Sequence, residues 1–314
     1  MEFLEELRLM KEQLKFEGRF RLPKNFSNVV LSGLGGSGIS ARIFQEIYSK
    51  KPVSLVEGYE IPDFVSPSTL FISMSYSGNT EEVLAAAKAA KKRKAHVVTI
   101  SSRGLLEGYG DQHVKIPRPD LQPRSSLVYL LMPLLNSFGL AEPKEIRESY
   151  GLLSGLDGNP EECYRHARSI ARSDAIPVIY GSFPFRAVAY RWKTQFNENP
   201  KILAYSSSFP ELNHNDTMAL AHTYKKNEFY FMVFASRDKR INDRIHVTEK
   251  LTRSKFNIIN PKGTSQLSRI LYLVHYGDYL SYKLSSIRGI NPTDVSYIEK
   301  LKTMLKKPKE GRKA

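Results

Sequence analysis

Val29-Val-Leu-Ser-Gly33-Leu-Gly-Gly-Ser-Gly38 and Leu70-Phe-Ile-Ser-Met-Ser75-Tyr-Ser-Gly-Asn-Thr80 read alike. In each, a short β-branched or apolar run meets a turn of small residues and then a helical pattern. A strand, a tight turn and a helix start bring free backbone N–H groups and the positive end of a helix dipole to one point. Ser37 in the first loop, and Ser75, Ser77 and Thr80 in the second, add hydroxyl donors. Neither loop has the lysine of a nucleotide-binding P-loop, so the pair suits a small phosphate monoester better than a triphosphate.

Outward from these loops, strand and helix patterns alternate. Strands are expected at 29–31, 53–56, 70–73, 96–100 and 114–116, and helices at 39–47, 80–94 and 125–138. In the second helix, Glu81 and Glu82 occupy the first turn and Lys91-Lys-Arg-Lys94 closes the last, as the helix dipole favours. Residues 139–175 interrupt the alternation with Gly151, Gly155, Gly158 and Pro160. The chain is divided there, into 1–150 and 151–314. The alternation resumes with strands at 177–180, 229–235 and 256–259 and helices at 185–196, 242–252, 265–285 and 293–306, with Gly181-Ser182 as a turn. Val178-Ile-Tyr-Gly-Ser182 echoes Val30-Leu-Ser-Gly33. The expected fold is therefore α/β: two related halves, each a doubly wound parallel sheet with flanking helices, with a helix added at either end of the chain.

The 314 residues are 41% hydrophobic and 25% charged, and the single cysteine, Cys163, excludes an intramolecular disulfide and fits a reducing cytoplasm. The acidic, amphipathic start lacks the pattern of a signal peptide, and the apolar stretch around 127–135 is too short to span a bilayer. A soluble, unexported, cytoplasmic protein is expected. The net charge of +15 raises the question of nucleic acid, but the basic residues are dispersed apart from Lys91–Lys94 and a tail with Lys306-Lys-Pro-Lys309, Arg312 and Lys313. The reading is that neither nucleic acid nor membrane is a partner, and that the positive field steers phosphorylated metabolites.

Two segments of the second half offer reactive side chains. In Asn197-Glu-Asn-Pro200, Glu198 ends a helix before a proline-enforced stop, where the negative end of the dipole opposes its charge. In Phe209-Pro-Glu-Leu-Asn-His-Asn-Asp216, polar residues crowd a non-repetitive segment. Glu211 and His214 have a spacing that can bind metal, but no second such motif accompanies it, and the other histidines read as structural or surface residues. No metal and no cofactor are expected.

Taken together, Gly35-Gly-Ser-Gly38, Ser75-Tyr-Ser-Gly-Asn-Thr80, Pro123-Arg-Ser-Ser126, Asn197-Glu-Asn-Pro200, Glu211-Leu-Asn-His-Asn215 and Asn291-Pro-Thr293 followed by Lys300 form an ordered set. In this set the chain resembles the bifunctional phosphoglucose/phosphomannose isomerases of archaea and some bacteria, built from two sugar isomerase (SIS) domains. The resemblance implies interconversion of glucose 6-phosphate and mannose 6-phosphate with fructose 6-phosphate. It implies that Gly36, Ser37, Ser75, Ser77 and Thr80 hold the 6-phosphate, and that Glu198 moves the proton between C2 and C1. Arg124 would stabilise the enediolate, and His214 and Lys300 would open the ring. Thr293 would make room for both C2 epimers. It also implies a homodimer in which His214 reaches the neighbouring subunit's site. Asp294, a charge beside Thr293, bears on the mannose activity if it faces the pocket. The alternatives left by the sequence are a sugar-phosphate-binding regulator and an isomerase with one substrate.

Overall fold

The computed structural model describes residues 2–117, 120–223 and 225–306. The basic tail beyond Lys306 lies outside the described residues. Two short helices, α1 (Phe3–Arg8) and α2 (Met10–Gln13), open the chain. The first half follows as β1 (Asn28–Ser32), α3 (Gly36–Ile47), β2 (Val53–Val56), β3 (Thr69–Met74), α4 (Glu81–Lys92), β4 (His96–Ser101), β5 (Gln112–Lys115) and α5 (Leu127–Ser137). Its sheet is parallel throughout, in the order β2-β1-β3-β4-β5. The strand order reverses between β1 and β3, which places a ligand crevice beyond their carboxyl ends. Both serine-rich loops leave the sheet at those ends.

The second half runs through α6 (Pro143–Gly158), α7 (Glu161–Ser173), β6 (Ile176–Ser182), α8 (Arg186–Glu198), β7 (Tyr205–Phe209) and α9 (Asp216–His222). It ends with β8 (Phe229–Phe234), α10 (Lys239–Thr252), β9 (Phe256–Ile259), α11 (Gln266–Ile287) and α12 (Ser296–Lys306). Its parallel sheet, β7-β6-β8-β9, repeats the order of the first with one strand fewer.

One apolar core joins the halves. Strand residues alternate between the faces of the first sheet: Val29 and Leu31 enter the common core, while Val30 packs with Phe71 and Val97 against Ala86 and Ala90 of α4. The second sheet sends Ile179, Met232 and Phe234 into the same core. Most of the 22-residue α11 is buried, and Gly277 lets it approach the Trp192 ring of α8. Cys163 is buried, and that burial pushes its thiol well above the usual range.

The structure departs from the sequence reading in several places. Most of the segment 139–175 is helical, as α6 and α7, and residues 150 and 151 both lie within α6. Its three glycines face solvent while Leu153 and Leu156 are buried, so tertiary packing outweighs a propensity cost of about 1 kcal/mol per glycine. Gly181 and Ser182 end β6 rather than forming a turn. The edge strand β7 went unrecognised because Ser206-Ser-Ser208 has no β-branched residue. The irregular segment after Pro210 is a 3-10 turn (Glu211–His214) followed by α9, whose first N–H is capped by the Asn215 side chain.

Candidate active site

The first loop is shaped by close backbone approach. α3 begins at Gly36, inside the glycine run rather than at Ile39. A Cβ on Gly36 would lie 2.8 Å from the carbonyl oxygen of Pro123, so only glycine lets this turn touch the segment carrying Arg124. Ser37 is buried in the first turn of α3. In the second loop Gly78 has a φ of +67°, and a Cβ there would sit 1.6 Å from the Arg103 carbonyl oxygen. That glycine turns the chain so that the hydroxyls cluster: Ser75 Oγ lies 2.8 Å from Thr80 Oγ1 and 3.5 Å from Ser77 Oγ. Ser75 Oγ accepts from the Gly78 N–H (3.1 Å), and Ser77 Oγ from that of Asn79 (3.3 Å). α4 starts directly afterwards, adding its dipole.

Arg124, on the 3-10 turn Pro123–Ser126, is 4% exposed and draws four segments together. Its Nε donates to Asn199 Oδ1 (3.1 Å), Nη1 to Glu198 Oε2 (3.4 Å) and Nη2 to the Pro292 carbonyl (2.5 Å). Burial pulls its guanidinium below the ordinary value, opposed by Glu198 and Glu6. Its face lies over the Phe3 ring, 4.9 Å from the centroid. Glu198 closes α8, with its side chain 31% exposed beside this cation. Lys201 Nζ donates to the Glu198 carbonyl (2.5 Å) and toward that of Asn291 (3.4 Å). The Thr293 N–H and Oγ1 both donate to Asn291 Oδ1. Asp294 accepts from the Ser296 N–H, which holds its carboxyl below the usual range. That carboxylate is occupied with capping the start of α12.

The geometry thus gathers Gly36, Arg124, Glu198 and the Asn291–Thr293 segment at one end of the first sheet, with the hydroxyl cluster on the adjacent strand end. A partly exposed carboxylate beside a buried cation can shuttle a proton while the cation offsets developing negative charge. His214 and Lys300 stand apart. Both are exposed, on the 3-10 turn after β7 and on α12 respectively, and among the described residues no hydrogen bond or ion pair links either to Arg124 or Glu198. Among the described residues, no cluster of three or more His, Cys, Asp or Glu side chains could hold a metal ion.

Supporting residues were missed by the sequence reading. Arg191 Nη2 donates to the Arg124 carbonyl (3.2 Å) and to both Asp278 oxygens (2.9 and 2.8 Å), and Gln195 Nε2 donates to Asp278 as well (2.8 Å). Asn199 Nδ2 donates to Ser281 Oγ (2.9 Å). The one available signal was Arg191 and Gln195 one turn apart on the apolar face of a predicted helix.

Family models match both halves of the chain. The SIS domain matches residues 24–107, and the bacterial phospho-glucose isomerase C-terminal SIS domain matches residues 161–305. The chain is 53% identical over 302 residues to the bifunctional phosphoglucose/phosphomannose isomerase of Thermoplasma volcanium, covering 96% of this chain and 99% of that protein. It is 54% identical to the protein of the same name from Thermoplasma acidophilum, covering 96% and 97%. The crystal structure of glucosamine-6-phosphate deaminase from Thermotoga maritima superimposes with a TM-score of 0.68 at 18% identity, covering 92% of this chain and 95% of that one. At that identity the likeness is one of fold.

Proposed function

The chain belongs to the bifunctional phosphoglucose/phosphomannose isomerase family, and on that premise we propose that it interconverts glucose 6-phosphate and mannose 6-phosphate with fructose 6-phosphate. Membership makes it a sugar-phosphate isomerase; the identity of the epimers and the mechanism are our reading. The observation that carries the reading is the Arg124–Glu198 pair at the strand-order reversal that also bears the hydroxyl cluster.

In this reading Ser37, Ser75, Ser77 and Thr80, with the backbone at Gly36, hold the 6-phosphate, whose binding energy orients C1 and C2. Glu198 removes the proton from one carbon and returns it to the other through a cis-enediolate, without a metal. Arg124, fixed by Asn199 and the Pro292 carbonyl, offsets the charge on the enediolate oxygens. The decisive assay couples fructose 6-phosphate formation to a reporter, separately with each aldose phosphate, with and without EDTA. Activity on both, resistant to EDTA, is expected. No turnover of either, with sugar-phosphate binding intact, would turn the reading toward a binding protein.

Thr293 is assigned to C2 tolerance, supported by its place next to Pro292 and by the engagement of Asp294 in capping α12. Thr293→Val is expected to lower kcat/KM for mannose 6-phosphate more than for glucose 6-phosphate. Equal losses would remove this role.

His214 and Lys300 are assigned to ring opening within a homodimer. Support comes from their exposure and from Tyr297, Leu301, Met304 and Leu305 on α12, all exposed in the single chain. Glu198→Gln and His214→Ala chains are each expected to be nearly inactive. When they are co-refolded, mixed dimers should recover activity, because one site then combines Glu198 of one subunit with His214 of the other. A mixture as inactive as its components would place His214 in its own chain's site.

A further inference from the structure

The second sheet has its own reversal of strand order, between β6 and β8, and a cavity of about 360 Å³ lies beyond the carboxyl ends of its strands. Phe183, Pro184 and Phe209 form an apolar wall, and Ser236, Arg237 and Arg269 supply polar groups. Arg269, on α11, is 7% exposed. Its guanidinium lies over the Phe185 ring, 5.1 Å from the centroid, and among the described residues it has no hydrogen bond and no ion pair. Among the described residues, both other buried arginines are answered by carboxylates: Arg124 by Glu198 and Arg191 by Asp278. A buried cation costs stability unless it is paired.

The neighbours of Arg269 deepen the deficit. Burial and the repulsion of Arg237 both pull its guanidinium below the ordinary value. Asp238, the acidic group lining the cavity, is committed elsewhere: it accepts from the Arg240 N–H (2.9 Å) and pairs with the Arg240 guanidinium (2.7 Å). The exposed Arg237 donates to the carbonyls of Gly263 and Thr264, neutral partners that leave its charge uncancelled.

We propose that this cavity is a second anion site, taking a small organic phosphate. Arg269 and Arg237 would grip the phosphoryl oxygens, while the apolar wall covers the carbon skeleton. It is distinct from the Arg124–Glu198 site. Gln266, on its rim, donates to the Glu46 carbonyl near the end of α3, whose opposite end carries Gly36 and Ser37. A 12-residue helix, roughly 18 Å long, therefore separates the two.

The test is calorimetric titration of the full chain in a Ser75→Ala/Thr80→Val background, which weakens phosphate binding at the first site by removing two of its four assigned hydroxyls. Fructose 6-phosphate should still bind at one site per chain, and inorganic phosphate more weakly at the same site. Arg269→Gln should weaken both at least about ten-fold. In the otherwise native chain, the same substitution should leave kcat/KM for isomerisation within about twofold, which also reports intact folding. Arg237→Gln, at an exposed position, should weaken binding in the same direction. The proposal is overturned by the absence of any site in the Ser75→Ala/Thr80→Val chain. It is equally overturned if neither arginine substitution alters affinity. Inorganic phosphate binding as tightly as fructose 6-phosphate would exclude an organic ligand.

Discussion

Glu198→Gln is expected to bind sugar phosphates with little change and to lose turnover by about three orders of magnitude or more. The substitution keeps the shape of the side chain and an oxygen that can still accept from Arg124 Nη1, so the architecture around the pair has no reason to collapse. What disappears is the group able to take and return a proton. A thousand-fold loss corresponds to about 4 kcal/mol of transition-state stabilisation. The proposed phosphate grip belongs to a different set of hydroxyls, clustered around Ser75, so the loss should fall on kcat rather than KM. Glu198→Asp, which keeps the carboxylate but withdraws it by one methylene, should fall between the two. A glutamine enzyme with full turnover would end the assignment of Glu198 as the base.

Arg191→Met should carry the largest cost in stability, about 3–5 kcal/mol, read as a drop in Tm of roughly 5–8 °C by scanning calorimetry. Arg191 is 1% exposed and is bound to both oxygens of an equally buried Asp278. Removing the cation leaves that carboxylate in the interior with Gln195 as its remaining side-chain donor. Arg191→Met with Asp278→Leu removes both charges and should recover most of the loss, because the penalty arises from an unpaired charge rather than a missing attraction. A single variant as stable as the native protein, or a double variant no better than the single one, would contradict this account. Arg191 also holds the Arg124 carbonyl, so the single variant should lose turnover at temperatures where it remains folded.

Much of the first half was legible because its signals are local. β2 was bounded to the residue, and β1, β3 and β4 to within one residue at either end, since β-branched runs ending at small residues leave few alternatives. The end of α8 at Glu198 was legible from the helix stop at Pro200, while the role assigned to Glu198 came from the family resemblance. The second half was harder wherever packing overrode propensity. α6 carries three glycines yet is helical, because Leu153 and Leu156 are buried and Asp157 is held by Lys11, His275 and Tyr279, residues far away in sequence. α3 starts three residues before its periodic pattern because the glycine run can enter the helix where a Cβ could not.

The sequence by itself determined the α/β alternation and the two small-residue loops, because strand period, helix period and turn chemistry act over a few residues. Only the tertiary structure decided that Arg124, Glu198 and Pro292 meet, since they lie 74 and 168 residues from Arg124 along the chain. It alone decided that Arg191 is answered by Asp278 while Arg269 is left without a carboxylate. Whether a buried charge is paired depends on which distant segment folds beside it, and no local pattern records that.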